Sequence, residues 1–238
     1  MQKPIRIFNA SFTWLQVITH IGAWLPAVYL TGAYFTGNLT VNPIQELTRR
    51  TGYTALVILV LSLACTPANT FFGWRQAIKI RRPLGLYAFG YAFAHFLIFA
   101  GLDYRFDFSL LPEAILEKPF TLIGLAALTI LFSLAATSYQ WWMKRLGKNW
   151  KRLHKLIYLA APLVLIHFAW SQKGDLLRLQ GNIAQPLIFS LVVGILLLAR
   201  IPAIRRLAVR LRHSAFKHPP DIKEKKQPWR TRKSHLEL

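Results

Sequence analysis

Six stretches of this 238-residue chain contain no Asp, Glu, Lys or Arg: residues 7–45, 51–74, 83–102, 119–143, 156–172 and 179–199. Each is near or above the roughly 17–25 residues that a helix needs to cross a hydrocarbon core. Hydrophobic residues make up 54% of the chain and charged residues 16%, against about 25% charge in a soluble domain. The chain therefore reads as an all-α integral membrane bundle of six transmembrane helices. Their predicted bounds are 12–35, 53–71, 84–102, 120–139, 153–171 and 183–201. The first is not a cleavable signal peptide, because its apolar core is too long and no small-residue cleavage pattern ends it.

Charge placement sets the orientation. The chain has 30 Lys plus Arg against 9 Asp plus Glu, a formal +21. In a soluble protein that would suggest nucleic acid, but here the cations sit in the connections. Lys3 and Arg6 precede the first helix. Arg75, Lys79, Arg81 and Arg82 fall between the second and third. Six more lie between Lys144 and Lys155, and twelve follow from Arg200 onward. The opposite face has only Arg49, Arg50, Arg105, Lys118, Lys173 and Arg178, together with six of the nine acids. Short loops rich in Lys and Arg stay in the cytoplasm, so both termini are expected there. The surplus charge is a topology signal first and a hint of anionic-lipid contact second. Residues 1–11 form a cytoplasmic N-terminus. Residues 204–238 form a basic cytoplasmic tail, with an interfacial helix near 200–217 followed by disorder.

Little chain remains outside the bilayer. No GxGxxG or P-loop follows a strand pattern, so no nucleotide-binding domain is expected. The one cysteine, Cys65, permits neither an intramolecular disulfide nor a thiolate metal cluster. Its plain reading is a small buried residue.

Histidine is left to carry chemistry. Three of the seven, His213, His218 and His235, lie in the tail. His20, His95, His154 and His167 fall in or at predicted helices, where ionisable groups are expensive and usually mark a pathway or cofactor. Any one alone serves equally well as an interhelical hydrogen bond. Four together, without an intramembrane acid or base to pair with, favour ligation, and neutral imidazole is a good haem ligand. His20 is 14 residues past Arg6, His95 is 13 past Arg82 and His167 is 15 past Arg152, so these three are expected at similar height in the outer half of the membrane. His154 lies near the inner surface, about 20 Å from His167 along the axis and rotated from it by roughly 140° on an ideal helix. A kink at Pro162 would alter that rotation.

The runs RRPLGLYAFGYAFAH (81–95), WKRLHKLIYLAAPLVLIHFAW (150–170), HIGAWLP (20–26) and NPIQELTRRTG (42–52) together resemble the MsrQ (YedZ) family. These are haem-binding membrane subunits of bacterial periplasmic methionine sulfoxide reductase systems, within the ferric-reductase and NADPH-oxidase-like superfamily. The resemblance covers most of the chain and fails only in the tail, which makes residues 12–203 a ferric reductase-like haem domain. It implies a multi-pass protein of the inner membrane carrying haem b, one or two per chain, and an associated FMN. Electrons would come from the quinone pool or a cytoplasmic flavin reductase and pass outward to MsrP, a soluble molybdopterin enzyme that repairs oxidised periplasmic proteins. The chain itself would be a non-catalytic electron-transfer subunit.

Within that resemblance, His95 and His167 match the pair that clamps one haem, and His154 matches the position serving an inner haem. The superfamily's third helix bears a second histidine one haem level below the first; fourteen residues before His95 this chain has Arg81. A second bis-histidine haem thus lacks an evident sixth ligand. His20 is expected to border the outer haem or a quinone site. Arg81, Arg82 and Arg152 are candidates for haem propionates or a flavin phosphate, with ordinary inside anchoring as the plainer role. Tyr87, Tyr91, Phe96, Trp150, Tyr158, Phe168 and Trp170 are candidates to pack a macrocycle. Other readings compatible with the residues are a transmembrane ferric reductase, another quinol-linked cytochrome b, and a transporter or anchor whose histidines relay protons or bond helices.

Overall fold

The computed structural model describes residues 5–7, 10–107, 109–172 and 184–215. The expected disorder of the tail, and the loop before the sixth predicted helix, lie outside the described residues. Two three-residue strands, Ile5–Ile7 and Ala10–Phe12, pair antiparallel. Otherwise the described architecture is helical: α1 (Trp14–Phe35), α2 (Pro43–Phe72), α3 (Arg75–Leu97), α4 (Leu111–Leu116), α5 (Pro119–Ala136), α6 (Gln140–Leu146), α7 (Lys148–Leu153), α8 (Ile157–Ser171), α9 (Ala184–Leu198) and α10 (Pro202–Ala215). A π-helical turn, Ile98–Asp103, extends α3, and a 3₁₀ turn, His154–Leu156, joins α7 to α8.

Among the described residues, four helical stretches are long and apolar enough to cross a membrane: Pro43–Phe72, Arg75–Asp103, Pro119–Ala136 and Lys148–Ser171. A fifth is added if Ala184–Leu198 and Pro202–Arg212, bent by 75°, form one span. The expected six would need α1 as well, which is not among these stretches. Absence of charge does not measure apolarity, and α1 shows the difference. Its 22 residues reach about 33 Å, yet Gln16, His20, two Trp and two Tyr dilute its hydropathy.

Helix starts also differ from the sequence expectation. α2 begins ten residues early because Asn42 caps it, its Oδ1 accepting from the Gln45 N–H at 3.1 Å, with Pro43 at the first position and Glu46 in the first turn. α3 begins at Arg75 and carries its basic cluster on helical turns. α10 is helical where the sequence leads one to expect a helix, near 200–217. Arg212 on α10 donates to the Asn69 and Thr70 carbonyls at the C-terminus of α2, where a cation is favourable.

The helices pack as two pairs, α2 with α3 and α5 with α8, joined through α3 and α5; α1 lies on α3, and α9 touches α8 and α2. The most buried residues are small: Ala160 and Ala169 are 0% exposed, Ala88 and Ala100 1%. Such residues let membrane helices approach closely where no hydrophobic force drives association. Large apolar side chains instead face outward, among them Val28, Phe132, Ile188 and Leu191, the inverse of a water-soluble surface.

Near two helix-internal prolines, side chains from elsewhere in the chain bond the helix backbone. Pro67 in α2 has no N–H, which frees the Leu63 carbonyl, and Arg200 donates to that carbonyl at 2.7 Å. Pro26 interrupts α1. Beside it, the Tyr91 hydroxyl of α3 donates to Ala23 O at 2.6 Å and accepts from Ala27 N–H at 3.0 Å, a side chain inserted into the helical ladder.

Candidate functional site

His95 rises from the last turn of α3 and His167 from α8. Their ring centroids are 6.1 Å apart and their planes 80° from parallel, so the structure brings together two residues separated by 72 positions. The Nδ1 of His95 is 2.7 Å from the Thr48 carbonyl on α2, and that of His167 is 2.7 Å from the Phe120 carbonyl on α5. A carbonyl only accepts, so each Nδ1 carries the proton and each Nε2 keeps its lone pair. Metal-ligating histidines characteristically make this second hydrogen bond.

The two rings lie in a cavity of about 620 Å³ between the helix pairs. Its wall includes Gly52, Phe96, Gly124 and Phe168, and its polar rim includes Asn42, Arg49, Asp103, Lys118 and Gln172. A Cβ built at Gly52 would stand 2.9 Å from His95 Nδ1; one at Gly124 would stand 2.6 Å from His167 Nδ1. Thr121 Oγ lines the cavity and is buried without a hydrogen-bond partner.

These features fit haem. Two metal–imidazole bonds of about 2 Å each, plus two ring radii, account for a centroid separation near that observed. Among the described residues no group of three or more His, Cys, Asp or Glu is placed to hold a bare metal ion. A two-nitrogen donor set suits an iron that brings its own equatorial ligands.

The other expected site residues stand elsewhere. His20 does not share the level of His95: its Nδ1 is 2.9 Å from the hydroxyl of Tyr87, eight residues and about 12 Å inward along α3. It lines neither this cavity nor a neighbouring one of about 660 Å³ that shares Arg49, Tyr53 and Gln172. Distance from Arg6 overstates its depth, because α1 begins only at Trp14. His154 sits in the 3₁₀ turn with its ring 4.1 Å from that of Trp150, within electrostatic range of Arg81. Arg81 in turn senses Arg200. Arg82 and Arg152 are exposed.

Of the aromatic candidates, Phe96 and Phe168 line the cavity. Tyr91 is spent on α1, Tyr87 on His20 and Trp150 on His154, while Trp170 is 47% exposed. Sequence reasoning missed Gly52, Gly124, Arg49 and Lys118. Glycine inside a helix is a known sign of close approach, but Gly22, Gly32, Gly90 and Gly194 meet nothing within 4 Å, so composition could not single out the two that matter.

Residues 51–165 match the family described as ferric reductase like transmembrane component. A protein of Rhodospirillum rubrum named protein-methionine-sulfoxide reductase heme-binding subunit MsrQ is 38% identical over 80% of this chain and 89% of its own length. Proteins of the same name from Deinococcus radiodurans and Herminiimonas arsenicoxydans are 40% and 37% identical, over 82% and 79% of this chain and 94% and 85% of their own lengths. With ligand-competent histidines meeting inside a membrane bundle, and with such relatives along most of its length, the chain belongs to the MsrQ family of heme-binding subunits.

Proposed function

We propose that the chain is a haem b electron-transfer subunit of the bacterial inner membrane, with six spans and both termini in the cytoplasm. It passes electrons from the quinol pool or a cytoplasmic flavin reductase outward to the periplasmic molybdopterin subunit MsrP, where the sulfoxide chemistry takes place. The observation that carries this reading is the His95–His167 pair, with both Nε2 atoms available and both Nδ1 atoms bound to carbonyls. Haem held there supplies one-electron redox chemistry at an iron without an open coordination site. His95 and His167 fix its position, Phe96 and Phe168 exclude water, and Arg49 and Lys118 at the rim offer charge to carboxylates. These two cations replace Arg81, Arg82 and Arg152 as the propionate partners of this haem. An inner haem would use His154 beside Arg81, and an FMN phosphate would find Arg82 and Arg152 on the inner side.

Six spans require α1 to cross, and its charge-free length supports that. The excess of Lys and Arg on one side supports the orientation.

The test is reconstitution of the full chain in liposomes with a reduced quinol and MsrP. Reduction of methionine sulfoxide that requires both proteins, and is lost in His95→Ala, is expected. Ferric-chelate reduction at the same rate with or without MsrP, and no transfer to MsrP, would assign the chain to the ferric reductases instead.

A further inference from the structure

The two histidines are seated by matching devices on opposite sides of the cavity. On one side, His95 of α3 bonds the carbonyl of Thr48 on α2 and lies against Gly52, one turn further along α2. On the other, His167 of α8 bonds the carbonyl of Phe120 on α5 and lies against Gly124, one turn further along α5. In each case a helix supplies an acceptor at one position and a bare Cα four residues later. We infer that Gly52 and Gly124 are positioning residues: each seats one ligand imidazole and, with the carbonyl a turn before it, fixes that ring's tautomer and its rotation about the ligand axis. The inference rests on the haem reading above and assigns function to residues that touch the ligands rather than the iron.

The distances make substitution consequential. At Gly124 a methyl would stand 2.6 Å from Nδ1 and 2.7 Å from Cε1 of His167; at Gly52 it would stand 2.9 Å and 3.1 Å from the same atoms of His95. Contacts that short cannot persist. The element that gives way is the ring, the mobile end of a side chain, and its Nδ1–H is the atom the methyl meets first. Alanine therefore breaks or bends the bond to the carbonyl and turns the imidazole plane while leaving Nε2 in place to bind. The effect is expected to be larger at Gly124. Outer-shell partners of this kind alter metal affinity by about 10–100-fold when removed.

Ring rotation has its own readout. With haem held between planes 80° apart, the two imidazole π systems would act on different iron dπ orbitals, which would stay close in energy. The ferric low-spin EPR signal would then be strongly anisotropic, with its largest g value well above that of a coplanar pair.

The experiment compares purified wild type with Gly52→Ala and Gly124→Ala. Gly22→Ala and Gly90→Ala, at positions that meet nothing within 4 Å, serve as controls. Haem per chain, the EPR spectrum and the midpoint potential are measured. The expected result is a strongly anisotropic wild-type signal, unchanged in the controls, with the largest g value lowered or haem retention about 10–100-fold weaker in both test variants. Unchanged g values, potential and haem content in Gly52→Ala and Gly124→Ala would overturn the inference and leave the haem reading standing. A wild type without haem would overturn both.

Should the alanine variants fail to accumulate, nitrogen NMR of the haem-free wild type with labelled histidine decides the matter. Protonated Nδ1 at both His95 and His167 is expected. Protonated Nε2 at either would overturn the inference.

Discussion

A histidine in a low-dielectric bundle has two ring nitrogens to satisfy, and the partner of one dictates the use of the other. At His95 and His167 a helix carbonyl takes the Nδ1 proton, which leaves Nε2 for a metal. Replacing either residue with alanine should abolish the main haem absorption while the protein still inserts, measured as the haem-to-protein ratio after purification. Full haem in either variant would place the ligands elsewhere. The shared level of these two residues was legible in the sequence, because both helices start from the same basic face and counting along a helix gives depth. Their hydrogen-bond partners were not legible. Thr48 and Phe120 each act through a backbone carbonyl, 47 positions from the histidine and on another helix, so side-chain identity there carries no signal. His20 misled because the count began in chain that precedes the helix.

Between helices, vacancies and donors are matched. Arg200 occupies the carbonyl that Pro67 leaves unpaired, and its guanidinium lies 5.6 Å from the centre of the Tyr158 ring. Arg200→Ala should lower stability by about 1 kcal/mol, read as a lower thermal midpoint in detergent. In a Pro67→Ala background, where the helix regains its own N–H, the same substitution should cost measurably less. Equal costs in both backgrounds would show that the two residues are not coupled. The sequence marked Pro67 and Arg200 individually; their meeting depends on the turn after α9 that carries Arg200 beneath α2. Helix bounds were legible only in part. Charge-free intervals located the membrane-level segments, but α2 and α3 extend through the polar boundary into charged sequence, since water there tolerates ions that the hydrocarbon does not.

For the whole molecule, orientation decides whether the cavity rim at Arg49, Asp103 and Lys118 faces the periplasm, where an outward electron donor needs it. In a Cys65→Ala background, Glu117→Cys should react with a membrane-impermeant maleimide in intact spheroplasts, and Lys148→Cys only after permeabilisation. The reverse pattern would invert the topology and with it the direction of transfer. The central claim, that the chain carries electrons on haem, is tested most directly by the dithionite-reduced minus oxidised absorption spectrum of the purified protein, with haem quantified against protein. Sharp bands of low-spin b-type haem, at one or two per chain, are the expected result; a colourless protein after haem-supplemented expression would contradict it and return His95 and His167 to bonding helices.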